Sequence, residues 1–160
     1  VKLYISDINK DKVIQIAQAY NAKIVETEKV HQEDVDIFSP CALGGGLNPQ
    51  TIPEIKAKII AGGANNQLLE ENQDGKLVQE QNILYAPDYV INAGGLINVY
   101  QELKGYDKEK AKVKTTKIYD TLIEIFAESE KKNIPTHQAS NLIAEQRIAK
   151  ARAQARECQL

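Results

Sequence analysis

The sequence predicts an α/β fold, in which helices cover both faces of a parallel sheet and further helices follow it. Two observations support this. Short apolar runs, such as 2–6, 35–38 and 83–85, end at turn-forming residues, and residues 10–20 have helical apolar spacing. Apolar strands alternating with helices are typical of a covered parallel sheet. The length of 160 residues suits one domain with a sizeable core.

The first strand is predicted at 2–6, where Leu3, Tyr4 and Ile5 are contiguous. Such a run is typical of a strand buried on both faces. Asp7-Ile8-Asn9 ends it, and the helix at 10–20 follows. The remaining strands are predicted at 23–25, 35–38, 58–61 and 83–85.

Two connections between the later strands carry a local signal. Residues 51–55 predict a brief helix, with Pro53 in the first turn, where no amide bond is lost. Asp74-Gly75 predicts a turn between the fourth and fifth strands.

The rest of the chain is predicted to be helical. A short helix at 88–93 is expected to break at Gly94-Gly95, and 96–103 resumes it. Asp107 is placed to cap a long helix. That helix should end at Lys131-Lys132-Asn133, where cations suit the helix dipole.

A last helix is predicted after Pro135, with Thr136 placed to cap it. After Ala151 the sequence becomes polar and rich in alanine, so this end is expected to fray. The sequence contains no internal repeat and no low-complexity linker.

Composition narrows the range of partners. A formal net charge of −2 gives no reason to expect nucleic acid, and no apolar run approaches the roughly 20 residues of a membrane span. Cys41 and Cys158 are far apart, and His31 and His137 have no second ligand nearby in sequence, so no metal site is predicted. We expect a cytoplasmic protein in a reducing compartment.

Asp7 follows the first strand directly. An acidic side chain at the tip of the second strand of a Rossmann unit accepts hydrogen bonds from the adenosine ribose hydroxyls. The same carboxylate would repel a 2′-phosphate, which favours NAD over NADP. Alternatively, Asp7 only caps the helix at 10–20. The glycine fingerprint that would precede such a residue, with its strand, is missing from the sequence.

Two later strands are followed by loops suited to a ligand. Small residues at 39–46 would let a flat molecule lie close to the backbone, and Cys41, without a neighbouring base, is interpreted as a packing residue. Carboxamides at Asn65, Asn66 and Gln67 can pair with a coenzyme ribose or amide. Taken alone, each loop is also explained as an ordinary turn.

The segment Tyr85 to Val99 carries the strongest signal, because a strand runs into a helix interrupted by Gly94-Gly95 just beyond Asn92. A break there would bring backbone and the Asn92 amide against a ligand at the carboxyl edge of the sheet. The alternative is a kinked helix that packs on a neighbour.

Taken together, these segments resemble the leucine, valine and phenylalanine dehydrogenases, and the leucine enzymes most of all. The resemblance rests on Pro40-Cys41-Ala42-Leu43-Gly44-Gly45, on 61–68 and on 85–99, and it extends to about Ala151. It implies oxidative deamination of an L-amino acid to a 2-oxo acid, with hydride transfer to NAD. It also implies a homo-oligomeric parent enzyme.

The resemblance implies a set of NAD contacts in the loops after successive strands. Asp7 corresponds to the acid on the adenosine ribose, 41–43 to backbone contacts with the adenosine half, and Asn65 to the nicotinamide side. Leucine enzymes often have Asp at the position of Asn65. The implied contacts are Asp7, Ile8, Cys41, Ala42, Leu43, Ala64, Asn65 and Asn92.

The same resemblance implies where substrate binds. Asn92 corresponds to the asparagine beside the nicotinamide and the substrate carboxylate, and Leu96 and Val99 to the lining of the side-chain pocket. Both lining residues are aliphatic, which suits a branched-chain substrate such as leucine, valine or isoleucine better than an aromatic one.

No segment matches the family's two catalytic lysines or its catalytic aspartate, so no catalytic residue is assigned in these 160 residues. Residues 1–103 are interpreted as a partial NAD-binding domain and 104–160 as helices that pack on it. A piece of this extent is expected to be inactive alone, because proton abstraction needs a positioned base. The alternative is a non-catalytic nucleotide-binding or assembly module.

A Rossmann sheet without its first strand has two unpaired edges, because that strand is central. Their backbone groups need hydrogen-bond partners. We predict either direct pairing of the Leu3 strand with the Ile37 strand, or a gap with marginal stability.

Overall fold

The computed structural model describes residues 1–103 and 105–157, so Lys104 and Cys158 lie outside the described part. Its architecture is α/β with parallel strands, as predicted. The strands are β1 (Tyr4–Ile5), β2 (Lys23–Ile24), β3 (Ile37–Phe38), β4 (Ile59–Ile60) and β5 (Leu84–Tyr85). The helices are α1 (Lys10–Tyr20), α2 (Glu71–Glu80), α3 (Asp88–Ile91), α4 (Gly94–Glu102), α5 (Lys108–Lys132) and α6 (Thr136–Glu157). Two short 3-10 helices lie at Thr27–Gln32 and Ile52–Glu54.

The strands form two parallel sheets, with orders β1-β2 and β3-β4-β5. Across the described ranges, β1 is not paired with β3, so the prediction of direct pairing is wrong. Each of these strands bonds its partner on one side only, β1 through Lys23 N to Leu3 O at 2.8 Å and β3 through Ala61 N to Phe38 O at 3.0 Å. The two strands therefore belong to separate sheets, and the marginal stability expected for that arrangement stays a prediction.

The first strand is less buried than its sequence suggests. Leu3 is 42% exposed, and both residues of β1 are only partly covered. The helix α1 that packs beside β1 and β2 contributes a single buried residue, Val13. A two-stranded sheet covered by one helix cannot bury both faces of a strand, so the prediction of burial on both faces is wrong.

The helix α1 begins and ends where the sequence predicts. The side chain of Asn9 accepts a hydrogen bond from Lys12 N at 3.0 Å and caps the first turn. Asn21 closes the helix in the left-handed conformation, with φ of 51°. The alternative that Asp7 caps α1 is therefore wrong, because Asn9 holds that position.

The predicted turn at Asp74-Gly75 is wrong, because both residues lie inside α2. The Asp74 carboxylate accepts from Glu70 N at 2.6 Å, as in a capping interaction within the first turn. Gly75 is there for space: a Cβ would lie 2.3 Å from the imidazole of His137. With α2 in place, β4-α2-β5 is an ordinary parallel crossover.

The break before α4 falls earlier than predicted. The helix α3 ends at Ile91, Asn92 and Ala93 form the break, and Gly94-Gly95 already belongs to α4. The first bond of α4 runs from Ile97 N to Ala93 O at 2.9 Å. The interruption therefore coincides with Asn92 itself, and the glycines are accommodated in a helical turn.

Asp107 caps α5 as predicted, accepting from Glu109 N and Lys110 N at 3.0 and 3.1 Å. In α6, the bond from Ala139 N to Pro135 O at 3.1 Å places Thr136 inside the first turn rather than at the cap. The helix also continues to Glu157 instead of fraying after Ala151. Alanine, glutamine and arginine, which fill that end, are strong helix formers.

Two apolar clusters hold these elements together. The first includes residues of the three-stranded sheet and contains Leu47, Ile52, Ile55, Ala57, Ile60, Val78, Ile83 and Tyr85. A second cluster, where α5 meets α6, contains Ile125, Ala139 and Ile143. Within the described ranges, no helix is long and apolar enough to cross a membrane.

Candidate functional site

The loops that follow β3 and β4 lie directly against each other at the carboxyl edge of the three-stranded sheet. Ala64 N donates to Pro40 O at 3.0 Å, and Gly63 N donates to the Cys41 thiol at 3.4 Å. A Cβ on Gly62 would lie 2.1 Å from Pro40 O, so only glycine permits this approach. We call 61–67 the β4 loop.

The β4 loop is held from inside by Gln67, which is 1% exposed. Its side-chain amide donates to the carbonyls of Gly62 and Ala64 at 2.8 and 2.9 Å. Gln67 is therefore unavailable to a ligand, unlike Asn65 and Asn66, which are exposed. The burial of Gln67 corrects the interpretation of the three carboxamides as equivalent ligand partners.

Asp88, the first residue of α3, joins the β4 loop to this helix. One oxygen of its buried carboxylate accepts from Gln67 N at 3.3 Å, and the other accepts from Tyr89 N at 2.9 Å. Asp88 N in turn donates to the hydroxyl of Tyr85 at 3.3 Å. Burial, followed by the nearby Asp88 charge, raises the pKa of Tyr85, so its phenol stays neutral.

Asn92 faces the β4 loop across a small cleft. Its amide nitrogen donates to Oδ1 of Asn65 at 2.5 Å and lies 3.5 Å from Gly63 O. The cleft has a volume of about 460 Å³ and is open to solvent. Its lining is formed by Gly63, Asn65, Tyr89, Asn92, Ala93 and Leu96.

Tyr89 forms one wall of this cleft and is fixed by the last helix. Its hydroxyl lies 3.0 Å from Asn141 Oδ1 and 3.3 Å from His137 O, and these two acceptors share its single proton. Burial raises the pKa of Tyr89, so this phenol also remains protonated at neutral pH. The cleft therefore offers amide, phenol and apolar groups.

The structure brings together the predicted residues of the nicotinamide side and one residue of the predicted substrate pocket, Leu96. Asn65, Asn92 and Leu96 line the same cleft, and Ala64 is buried in the loop beside them. Leu96 and Val99 are 74% and 54% exposed on α4, and Val99 lies outside the cleft lining. Leu96 is therefore the better placed of the two to contact a ligand in this cleft.

The predicted residues of the adenosine side do not line this cleft. Cys41, Ala42 and Leu43 are exposed in the loop after β3, with Cys41 joined to Gly63. Asp7 and Ile8 follow β1 in the other sheet and are exposed. In the part of the chain that the structure describes, no hydrogen bond links Asp7 to the cleft; Asp7 Oδ1 accepts from Asn9 N at 2.7 Å.

Sequence reasoning missed the buried polar residues that support the cleft, Gln67, Asp88 and Tyr85. Gln67 resembles its two exposed neighbours in type, and Asp88 follows Pro87 as an ordinary first-turn acid would. A usable signal was the placement of a strand directly before Pro87-Asp88, since parallel strand ends converge on one edge.

The chain is similar in sequence to curated amino-acid dehydrogenases. The chain is 50% identical over 147 residues to leucine dehydrogenase of Geobacillus stearothermophilus. The matched region covers 92% of this chain and 40% of that protein. It is 49% identical to L-tryptophan dehydrogenase of Nostoc punctiforme over 152 residues, covering 95% and 43%. The chain thus spans less than half the length of these curated relatives.

The fold agrees with these sequence relationships. The crystal structure of L-tryptophan dehydrogenase from Nostoc punctiforme matches with a TM-score of 0.93 at 47% identity, covering 96% of this chain and 46% of that one. The family model described as Glutamate/Leucine/Phenylalanine/Valine dehydrogenase matches residues 3–156. The chain belongs to the Glu/Leu/Phe/Val dehydrogenase family.

Proposed function

We propose that this chain is the coenzyme-binding part of an NAD-dependent enzyme that oxidatively deaminates an L-amino acid. The observation that carries the proposal is the cleft in which Asn92 faces Asn65, at the edge where parallel sheets bind dinucleotides. In the proposed reaction an L-amino acid, water and NAD⁺ give a 2-oxo acid, ammonium and NADH, with release of one proton. NAD, when bound, accepts the hydride from the substrate Cα.

The residues present fit a dinucleotide. Asp7 is exposed and bonds a protein donor through only one carboxylate oxygen in the described structure, which leaves acceptors for ribose hydroxyls. Gly63 and Asn65 offer backbone and amide groups for the nicotinamide end. A carboxylate at Asp7 favours NAD over NADP, because it would repel a 2′-phosphate.

The substrate is proposed to be a large apolar L-amino acid, with its carboxylate near Asn92 and its side chain near Leu96 and Val99. Both aliphatic residues are exposed to solvent, and their apolar side chains favour a branched-chain substrate such as leucine, valine or isoleucine. An aromatic substrate is the second candidate, because the tryptophan dehydrogenase relative is as similar in sequence as the leucine one. Tyr89, in the cleft wall, could also pack against an aromatic ring.

The proton chemistry is proposed to be supplied by groups outside these 160 residues. The described lining of the cleft contains one ionisable side chain, Tyr89, whose raised pKa makes it a poor base at neutral pH. The chain alone is therefore expected to lack activity, and the complete enzyme is proposed to be cytoplasmic and homo-oligomeric. The competing proposal is a non-catalytic nucleotide-binding or assembly module.

Steady-state assay of the complete protein from which these residues derive separates the two proposals. We expect NADH formation with L-leucine and NAD, a weaker reaction with L-tryptophan, and little with NADP. A protein that binds NAD in calorimetry yet oxidises none of the branched-chain or aromatic amino acids would favour the non-catalytic module. Preference for L-tryptophan would retain the reaction and change the substrate class.

A further inference from the structure

We propose that Gln67 is a positioning residue for hydride transfer, because its buried carboxamide sets the shape of the β4 loop at the nicotinamide end of the cleft. This inference rests on the proposed function. It concerns a residue that does not line the cleft and acts through the residues that do.

The Gln67 side chain bonds the backbone of the β4 loop at two points. Both hydrogens of its amide are used, on the carbonyls of Gly62 and Ala64, at 2.8 and 2.9 Å. These carbonyls flank Gly63, whose own carbonyl faces the Asn92 amide at 3.5 Å. The orientation of the backbone on each side of Gly63 is therefore fixed from beneath by one buried side chain.

Gln67 is also linked, through Asp88, to the helix that forms the opposite wall of the cleft. Gln67 N donates to the Asp88 carboxylate at 3.3 Å, and the other oxygen of that carboxylate accepts from Tyr89 N. Asp88 thus contacts the β4 loop and the start of α3, which leads to Asn92. One buried polar network sets the separation of the two walls.

Burial of the Gln67 amide also has an energetic cost. Gln67 Oε1 is buried and has no hydrogen-bond partner in the described residues. Buried polar groups are normally satisfied, and exceptions need an explanation. An apolar residue would avoid that cost but would remove the donors to the carbonyls of Gly62 and Ala64, so the presence of an amide favours a role in holding the loop.

Such a role has a kinetic consequence. Hydride transfer needs the reacting atoms about 3–3.5 Å apart, and a displacement of about 1 Å can lower the rate by about 100-fold. Loosening the β4 loop should therefore slow the chemical step even where the protein stays folded.

The test compares the variants Gln67→Met and Gln73→Met in the complete enzyme. Methionine is close to glutamine in length but cannot donate the two bonds, and Gln73 is an exposed glutamine on α2. With saturating coenzyme and amino acid, we expect Gln67→Met to lower the single-turnover rate of NADH formation by about tenfold or more. Deuterium at the substrate Cα should slow that step further, while Gln73→Met behaves like the wild type.

A Gln67→Met enzyme that unfolds at a lower temperature but keeps the wild-type single-turnover rate would overturn the inference and leave the proposed function intact. A wild-type protein without NAD-dependent amino-acid oxidation would instead reject the proposed function. Where Gln67→Met fails to fold, Gln67→Glu provides the second variant.

A protonated glutamate at this position can donate one of the two lost bonds, whereas the carboxylate would repel both carbonyls. We therefore expect the rate of Gln67→Glu, relative to wild type, to recover as the pH falls. A pH profile parallel to that of the wild type would overturn the inference.

Discussion

The imidazole of His137 packs directly on Gly75, so that a Cβ on Gly75 would lie 2.3 Å from both Nδ1 and Cε1 of the ring. His137 lies in the first turn of α6, and Gly75 lies in the middle of α2. The His137 side chain of α6 therefore occupies the space on α2 that is left by the missing Cβ of Gly75. We call this contact the Gly75 notch. Tyr89, whose hydroxyl bonds His137 O, connects the Gly75 notch to the cleft.

The notch predicts the sign of a glycine substitution. Alanine in a helix normally stabilises relative to glycine by about 0.5–1 kcal/mol, but Gly75→Ala should destabilise by about 1–3 kcal/mol through overpacking on His137. Gly95→Ala is the matched control, because a Cβ there meets nothing within 4 Å. Urea unfolding should show a lower midpoint for Gly75→Ala and an equal or higher one for Gly95→Ala. Equal stabilisation by both substitutions would show that His137 does not pack closely on Gly75.

The burial of His137 in the Gly75 notch predicts that stability depends on pH. Burial lowers the pKa of His137 below its usual range, opposed by the charge of Glu71, and neither ring nitrogen has a hydrogen-bond partner in the described residues. Because the unfolded state then binds the proton more tightly, the free energy of unfolding should fall as pH drops below the ordinary histidine value of about 6.5.

Urea midpoints at mildly acidic and neutral pH measure this effect, with His137→Leu as the control. The wild type should lose stability on acidification, and the variant should lose less, since it has no buried group to protonate. His31, the second histidine, is paired with Glu54 and is present in both proteins. An equal loss in both proteins would assign the acid sensitivity to other groups.

The position of Leu96 in the cleft lining predicts that shortening its side chain changes the substrate preference. In the complete enzyme, Leu96→Ala should enlarge the cleft and lower kcat/KM for L-leucine relative to L-tryptophan by about 10-fold or more, in line with about 1–3 kcal/mol for a lost apolar contact. Leu103→Ala is the control, because Leu103 is 79% exposed at the end of α4 and does not line the cleft. A ratio unchanged by Leu96→Ala would remove this residue from the substrate pocket.

Elements governed by local chemistry were predictable from the sequence. The helix α1 follows from apolar spacing and an asparagine at each end, and α5 follows from the Asp107 cap and the closing Asn133. The pairing of Asn65 with Asn92 was also predictable from the sequence, because both residues follow parallel strands whose carboxyl ends share one edge.

Features set by distant contacts were not predictable. Asp74-Gly75 looks like a turn, and only the presence of His137, which follows Gly75 by 62 residues in the chain, explains a glycine within α2. The burial of Gln67 has the same character, because its partners become neighbours only when the β4 loop closes. Such residues are chosen by tertiary packing, which overrides local preference.

The central claim is that Asp7 and Asn92 contact opposite ends of one dinucleotide. Calorimetry of the complete protein with NAD and with ADP-ribose, which lacks the nicotinamide, tests this claim. Asp7→Asn should weaken both ligands by about tenfold or more, through loss of charge-assisted hydrogen bonds, whereas Asn92→Ala should weaken NAD and leave ADP-ribose unchanged. Unchanged ADP-ribose affinity in Asp7→Asn, or equal losses for both ligands in Asn92→Ala, would contradict the account.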